Sequence, residues 1–337
     1  MLYYIIRRSI AAALMLAVIS VVTFFMFYAG PTDPARLTCG KNCTPVSIEA
    51  NRKALGLDKP VPAQYAAFVK GLVVARDYPD DPVFQKQNPD KVTHCPAPCL
   101  GYSVLETKLV TDIVKERLPV TVSITMGAFV LWIVLGVGFG IVAALRRGGI
   151  ADRGLVSIAL VLYSFPAFFI ALLMYNYLST KWGLLPPPAY VPLLESPVQW
   201  AQGLFLPWLS LASLYAASYI RLTRAYMLET MGEDYLRTAR AKGLNERTVV
   251  MKHTLRAALT PIVTIAGLDL GGLLAGAAIT ETVFNFQGFG RAVVNSVQVF
   301  DLPVIVALVL VAAFFIVLAN LVVDVLYGVI DPRVRLV

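Results

Sequence analysis

Side chains able to do chemistry are few in these 337 residues, and they lie far apart. The four cysteines stand as Cys39-x3-Cys43 and Cys95-x3-Cys99, and the two histidines are His94 and His253. Such cysteines form disulfides in an oxidising compartment, and four allow three connectivities. Pairing between the two clusters is favoured, because it would tie off a long loop. Zinc is the rival, but a structural site more often has closer spacing or histidine help, and only His94 is nearby. No resident metal is expected. No G-x-x-x-x-G-K-[ST] phosphate loop occurs, so nucleotide hydrolysis by that route is excluded. No nucleophile stands beside a base, and no catalytic residue is expected.

The remaining polar candidates are ionisable or amide groups set in apolar sequence. Asp269 is the one charge in Ala257–Thr280, Arg221 follows the uncharged run Leu204–Ile220, and Asn320 lies in Leu302–Val323. A charge at membrane depth is costly and usually faces protein or water. Asp269 is therefore expected either to line a translocation path or to pair with Arg221, and the pairing is preferred. Asn320 and Asp324 lie one helical turn apart and read as interhelical glue. Glu281 is expected at a solvent-reached end, open to either role.

The elements that must hold these groups are membrane spans. The chain is 58% hydrophobic and 15% charged, with mean hydropathy +0.69, whereas ordinary soluble domains carry about a quarter charged residues. A spanning helix needs roughly 20 apolar residues. Six fit, at about 10–29, 118–145, 154–178, 204–226, 257–280 and 302–328. The fourth is the weakest, since it reaches full length only by including Arg221 and Arg224. The first could instead be a cleaved signal peptide, but its apolar run exceeds the usual signal core.

The net charge of +8 follows from the positive-inside rule rather than from nucleic-acid binding. Placing the N-terminus inside puts Arg7–Arg8, Arg146–Arg153, Arg224–Arg256 and Arg333–Arg335 in the cytoplasm, with fourteen Lys and Arg among them. The two short outer loops then hold only Lys181 and Arg291. Both termini are thus expected inside. The chain divides into an N-terminal span (1–29), an extracytoplasmic segment with four Cys (30–117) and a core of five spans (118–337). In the segment, Gly30 to Pro34 is turn chemistry, 47–57 and 64–74 read as short helices, and 77–99 as a loop. The later outer connection 282–301, with Phe284, Phe286, Phe289, Gly288 and Gly290, suits a folded lip at a pore mouth.

The loop 227–256 is strongly basic yet structured. Tyr235 to Lys242 are good helix formers, and Gly243 can take positive φ and end that helix. Asn245 can cap the next, with Glu246 in its first turn. The product is a helix–Gly–helix elbow too polar to enter lipid. Charge and periodicity alone leave two uses open, contact with anionic headgroups and docking of a partner.

This pattern resembles the cytoplasmic EAA loop of ABC importer permeases, in particular the B-type permease of the dipeptide/oligopeptide/nickel branch. The general motif is Glu-Ala-Ala, three residues, then Gly; here Arg237-Thr238-Ala239 takes the first places and Gly243 the last. The branch reads much like Tyr235-Leu236-Arg237-Thr238-Ala239-Arg240-Ala241-Lys242-Gly243-Leu244. Flanking matches run along nearly the whole chain. They include Leu55 to Pro60, Gly101-Tyr102-Ser103, Arg221-Leu222-Thr223-Arg224, Gly271-Gly272, Glu281-Thr282-Val283-Phe284, Gly288 to Arg291, Asn320 to Asp324 and Asp331-Pro332-Arg333. Residues 76–99 depart from it as an insertion.

The resemblance implies an all-α membrane protein with six transmembrane helices and a type I ABC importer permease-like fold. It implies a bacterial inner-membrane subunit that moves dipeptides or oligopeptides inward by alternating access. Its partners would be a homologous second permease, two ABC ATPase subunits and an extracytoplasmic substrate-binding protein, beside membrane lipid and without nucleic acid. ATP and Mg would be bound by the ATPases, and this chain would hold no cofactor. The elbow Tyr235–Leu244 would seat in an ATPase cleft, and Asp269 would meet a peptide's amino terminus if it lined the path. Nickel or metal-chelate and oligosaccharide cargoes belong to the same branch. An ion-coupled secondary transporter would need a charged or broken-helix site near midplane, and a membrane-anchored receptor would move no cargo.

Overall fold

The computed structural model describes residues 2–29, 34–37 and 44–330. The turn expected at Gly30–Asp33, Cys39, Cys43, the basic pair Arg333 and Arg335, and the Asp331-Pro332-Arg333 motif lie outside the described residues. Helix α1 (Leu2–Tyr28) comes first. Short helices α2 (Pro34–Leu37), α3 (Pro45–Ala54) and α4 (Val61–Gly71) follow. Strand β1 (Arg76–Tyr78) leads through α5 (Pro82–Gln87) to β2 (Thr93–Cys95), and β3 (Tyr102–Ser103) pairs with β4 (Lys108–Leu109).

The core is α6 (Val110–Leu145), α7 (Ile150–Ser164), α8 (Ala167–Met174, continued as a wide turn to Lys181) and α9 (Pro197–Met231). Then come α10 (Asp234–Ala241), α11 (Glu246–Thr248, continued as a wide turn to Thr254) and α12 (Leu255–Leu274). Helices α13 (Ala278–Val283), α14 (Phe289–Val299) and α15 (Leu302–Ile330) end the described residues.

Five helices are long and apolar enough to cross a membrane, and the α7–α8 pair makes a sixth span bent by 102°. The expected straight third span is therefore broken, and Pro166 explains the break. Proline has no N–H for the helix ladder and pushes the residue before it out of the helical region; Phe165 has φ −92° and ψ 143°.

The fourth span, expected to be the weakest, is the central helix of the bundle. α9 runs parallel to α6, and a seam of small residues lets the two approach closely. A methyl group at Gly136 would strike Tyr219, and one at Gly140 would strike Thr223, the close backbone approach typical of membrane helices. Trp132, Ile124, Leu204, Leu206 and Tyr219 are buried along this seam. α12 packs on α15 through Gly267 and Gly271. α1 lies at the edge, joined to α15 and to α4 by Phe24, which stacks on Tyr28 at 4.1 Å and packs on Phe68.

The two ends of the bundle differ. One, the capped end, carries the segment 44–109, the 182–196 connection and α13–α14. The other, the elbow end, carries the α6–α7 turn and α10–α11. Residues 77–99, expected as a loop, form a small hairpin around α5. Three-residue strands are too short to show a period-2 pattern, and a turn closed by Cys95–Cys99, with Cα atoms 5.5 Å apart, holds β2 in place. This corrects the expected pairing between cysteine clusters. The hairpin brings Cys99 N–H onto the Gly71 carbonyl at 2.9 Å, which anchors the second cluster to α4 and leaves Cys95 its neighbour.

Candidate functional site: the elbow and the polar groups of the spans

The elbow forms as its residues dictate. α10 ends at Gly243 with φ +80°, a conformation cheap only for glycine. Gly243 N–H donates to the Arg240 carbonyl at 2.9 Å, and Leu244 N–H donates to that of Ala239. Asn245 then accepts from Arg247 N–H at 3.1 Å and caps α11. Arg240 spans the turn with two hydrogen bonds to Glu246, at 3.0 and 2.9 Å, which fix the angle between the short helices.

Below the elbow, Leu236, Val249 and Val250 are buried, and Val250 packs with Met227, Ala144 and Ala258 from three spans. Above it, Tyr235, Arg237, Thr238, Arg240 and every residue from Ala241 to Thr248 are exposed, with Ala239 half-buried. The elbow is thus rooted in the bundle and, among the described residues, uncovered.

Arg224, at the elbow end of α9, reaches Asp152 on α7 with Nε–Oδ1 2.5 Å and Nη2–Oδ2 2.9 Å, while Asp152 also accepts Gly148 N–H. Asp152 is 3% exposed. This clasp was missed in the sequence because Asp152 lies in a basic turn, Arg146 to Arg153, that reads simply as an inner loop.

Asp269 and Arg221 resolve differently from expectation. Asp269 does not pair with Arg221. Its Oδ2 accepts the Tyr219 hydroxyl at 2.7 Å across α9 and α12. Arg221 lies over the Tyr163 ring at 4.4 Å instead, where its flat guanidinium finds a cation–π partner on α7. Helical phase is the reason: Tyr219 and Arg221 are two residues apart and so face different neighbours. Asp324 pairs with Arg8 of α1 at 3.0 Å, and Asn320 is half-buried on the same helix.

Glu281 is not at a solvent-reached end but fully buried. It accepts the Thr121 hydroxyl at 2.5 Å and Arg291 N–H at 2.7 Å, and Thr121 in turn accepts Phe289 N–H at 2.8 Å. The backbone of Gly288 packs against the carboxylate with no room for a side chain. Glu281 therefore caps the N-terminus of α14 and sews the aromatic lip onto α6. Burial pushes its carboxyl up, against these hydrogen bonds. Ser103 donates to buried Asp301, joining β3 to the start of α15.

Among the described residues no group of three or more His, Cys, Asp or Glu could hold a metal. A bundle of long apolar helices, with an exposed helix–Gly–helix elbow at one end, defines a multi-pass membrane protein. The chain belongs to the family described as the binding-protein-dependent transport system inner membrane component, which matches residues 136–336. The companion N-terminal family matches residues 1–125.

Relatives extend along the full length. A putative peptide transport system permease protein of Brucella abortus (strain 2308) is 35% identical over 332 residues, 98% of each chain. The glutathione transport system permease protein GsiC of Escherichia coli O6:H1 is 36% identical over 335 residues, 99% of each. A probable peptide ABC transporter permease protein of Sinorhizobium fredii is 31% identical. Among solved structures, the inward-facing MetNI methionine ABC transporter aligns with TM-score 0.51 at 17% identity, covering 66% of this chain and 97% of that one. The fold is that of type I ABC importer permeases, and the protein is a multi-pass permease subunit of an ABC importer. Such a subunit works with ATPase and substrate-binding partners.

Proposed function

We propose that this permease imports dipeptides or short oligopeptides. Support comes from the end-to-end likeness to permeases named for peptide and glutathione transport, glutathione being itself a small peptide. In this reading Tyr235 to Leu244 seat in an ATPase. Two ATPases bind ATP and Mg, a homologous second permease completes the path, and an extracytoplasmic binding protein selects the cargo. The elbow end is cytoplasmic with both termini, and residues 30–117 lie outside. Closure of the ATPases displaces the elbow, and its root on Met227, Val250 and Ala258 carries that displacement into α9 and α12.

The observation that supports the coupling role is an elbow whose residues Ala241 to Thr248 are all exposed among the described residues, with their side-chain hydrogen bonds made inside the elbow itself. The test is uptake into proteoliposomes by the complex purified with its natural partners. ATP-dependent accumulation of a labelled peptide, outcompeted by peptides but not by nickel complexes or sugars, supports the reading. Uptake driven by an ion gradient without ATP refutes it.

A further inference from the structure

Asp269 is an ionisable group set inside a span, and what surrounds it is unsuited to an anion. Among the described residues its one hydrogen bond is from the Tyr219 phenol at 2.7 Å. Among the described residues no Lys, Arg or His lies within 4.0 Å of it. Its neighbourhood is aromatic: Trp132 stacks on Tyr215 at 4.6 Å and lies 6.3 Å from the Tyr219 ring. Ring faces attract cations, and an intramembrane carboxylate calls for a named cationic partner. The described residues place none beside it, which leaves the position open to a cation from outside them.

Position on the helix says from where. On α12, Ile262, Ala266 and Leu273 turn into the core, and Gly267 and Gly271 turn onto α15. Asp269 follows the core-facing set but stands at its edge. The next positions around the helix are open: Leu268 is 49% exposed, and a methyl at Gly272 would meet nothing within 4 Å. Asp269 and Tyr215 are both half-buried, while Trp132 and Tyr219 are buried behind them. The carboxylate therefore borders open space with an aromatic wall at its back.

We propose that Asp269, backed by Tyr215, Tyr219 and Trp132, is the site on this subunit that receives the terminal ammonium group of a peptide in transit. The inference rests on the peptide reading and narrows it to cargo with a free amino terminus. Such a site needs no contact with the variable side chains, so it suits a path that must pass many sequences. Tyr219 holds the carboxylate in one rotamer and leaves its second oxygen for the ligand.

The test compares initial uptake of trialanine and N-acetyl-trialanine by the reconstituted full complex, wild type against Asp269→Asn. Taking the ratio of variant to wild type for each cargo cancels any preference of the binding protein. Loss of a charge-assisted hydrogen bond should lower trialanine uptake about tenfold and leave N-acetyl-trialanine uptake unchanged. Tyr219→Phe, which keeps the ring and loses the hydroxyl that orients the carboxylate, should lower the discrimination less than Asp269→Asn does. Equal loss for both cargoes overturns the site and leaves peptide transport standing, as does loss of partner co-purification in Asp269→Asn, which would assign the cation to a neighbouring subunit. If Tyr219→Phe reproduces Asp269→Asn for both cargoes, the group is interhelical glue and the site is refuted. Failure of the wild type to move either peptide refutes the peptide reading, and the ammonium site with it.

Discussion

Arg224 and Asp152 form a fork-to-fork ion pair that joins α9 to α7, eight residues before α9 gives way to the elbow at Gly232. A two-point guanidinium–carboxylate contact fixes orientation as well as distance. In the proposed coupling, a displacement of the elbow that moves the end of α9 is passed to α7 through this contact. α7 also receives Arg221 on Tyr163, so two arginines one helical turn apart bind α9 to the same neighbour.

Lysine at position 224 keeps the charge and loses the fork. For Arg224→Lys, and more so for Asp152→Asn, we expect normal membrane yield and co-purification with partners. Transport per ATP hydrolysed should fall severalfold while ATP hydrolysis persists. Measuring both rates in the same proteoliposomes decides the matter. An unchanged ratio would show that the clasp is a local brace outside the transmission path.

Gly243 tests the elbow itself. A methyl there would meet no atom within 4 Å, so Gly243→Ala acts through backbone conformation alone, at a cost of about 1 kcal/mol. That should leave transport mildly reduced. Gly243→Asp adds a charge to the face proposed to enter the ATPase, and should leave the permease in the membrane but uncoupled. Undiminished peptide uptake by Gly243→Asp would sink the assignment of the elbow.

The elbow was legible because it is built from local signals: a glycine at positive φ, an asparagine cap and a helix-forming run, all contiguous. The spans were legible as composition, apart from the break at Ser164-Phe165-Pro166, which sits in an apolar run with no charged residue to interrupt it. The pairings of charged groups were not legible. Asp269–Tyr219, Glu281–Thr121 and Asp301–Ser103 join residues 50, 160 and 198 positions apart. A pattern within one helix carries no information about which face meets which neighbour. Glu281 was misplaced for the same reason, since the lip that buries it folds back from later in the chain.

Glu281 gives a prediction with a sign. Glutamine in its place presents an NH2 where one carboxylate oxygen accepts a hydrogen bond, so Glu281→Gln should cost about 1–3 kcal/mol, seen as a lower thermal midpoint in detergent. Burial first, opposed by the Thr121 hydroxyl and by backbone N–H groups including that of Arg291, holds the carboxyl above its ordinary 4.5. A raised folded value means the proton is held more tightly folded than unfolded. The stability this titration adds is full below about 4.5 and is lost as pH rises through the folded value. The midpoint of the wild type relative to Glu281→Gln should therefore be more favourable at acid pH than at pH 8. A pH-independent difference would mean that Glu281 does not titrate in that range.

The Cys95–Cys99 bridge closes a loop of about five residues, so the chain-entropy model assigns it only about 2 kcal/mol. Its place matters more than its size. Cys95 and Cys99 are both buried against Tyr78, Tyr102 and Leu109, and Cys99 is hydrogen-bonded to α4. Replacing both by serine should loosen the 76–99 hairpin and lower its resistance to proteolysis. The spans should be unaffected, because β3 is separately held to α15 through Ser103 and Asp301. An impermeant thiol reagent applied without reductant should label neither cysteine in the wild type. Labelling of both Cys95 and Cys99 under those conditions would show that the bridge is absent, and loss of transport by the double serine variant with an intact hairpin would move its role from structure to function.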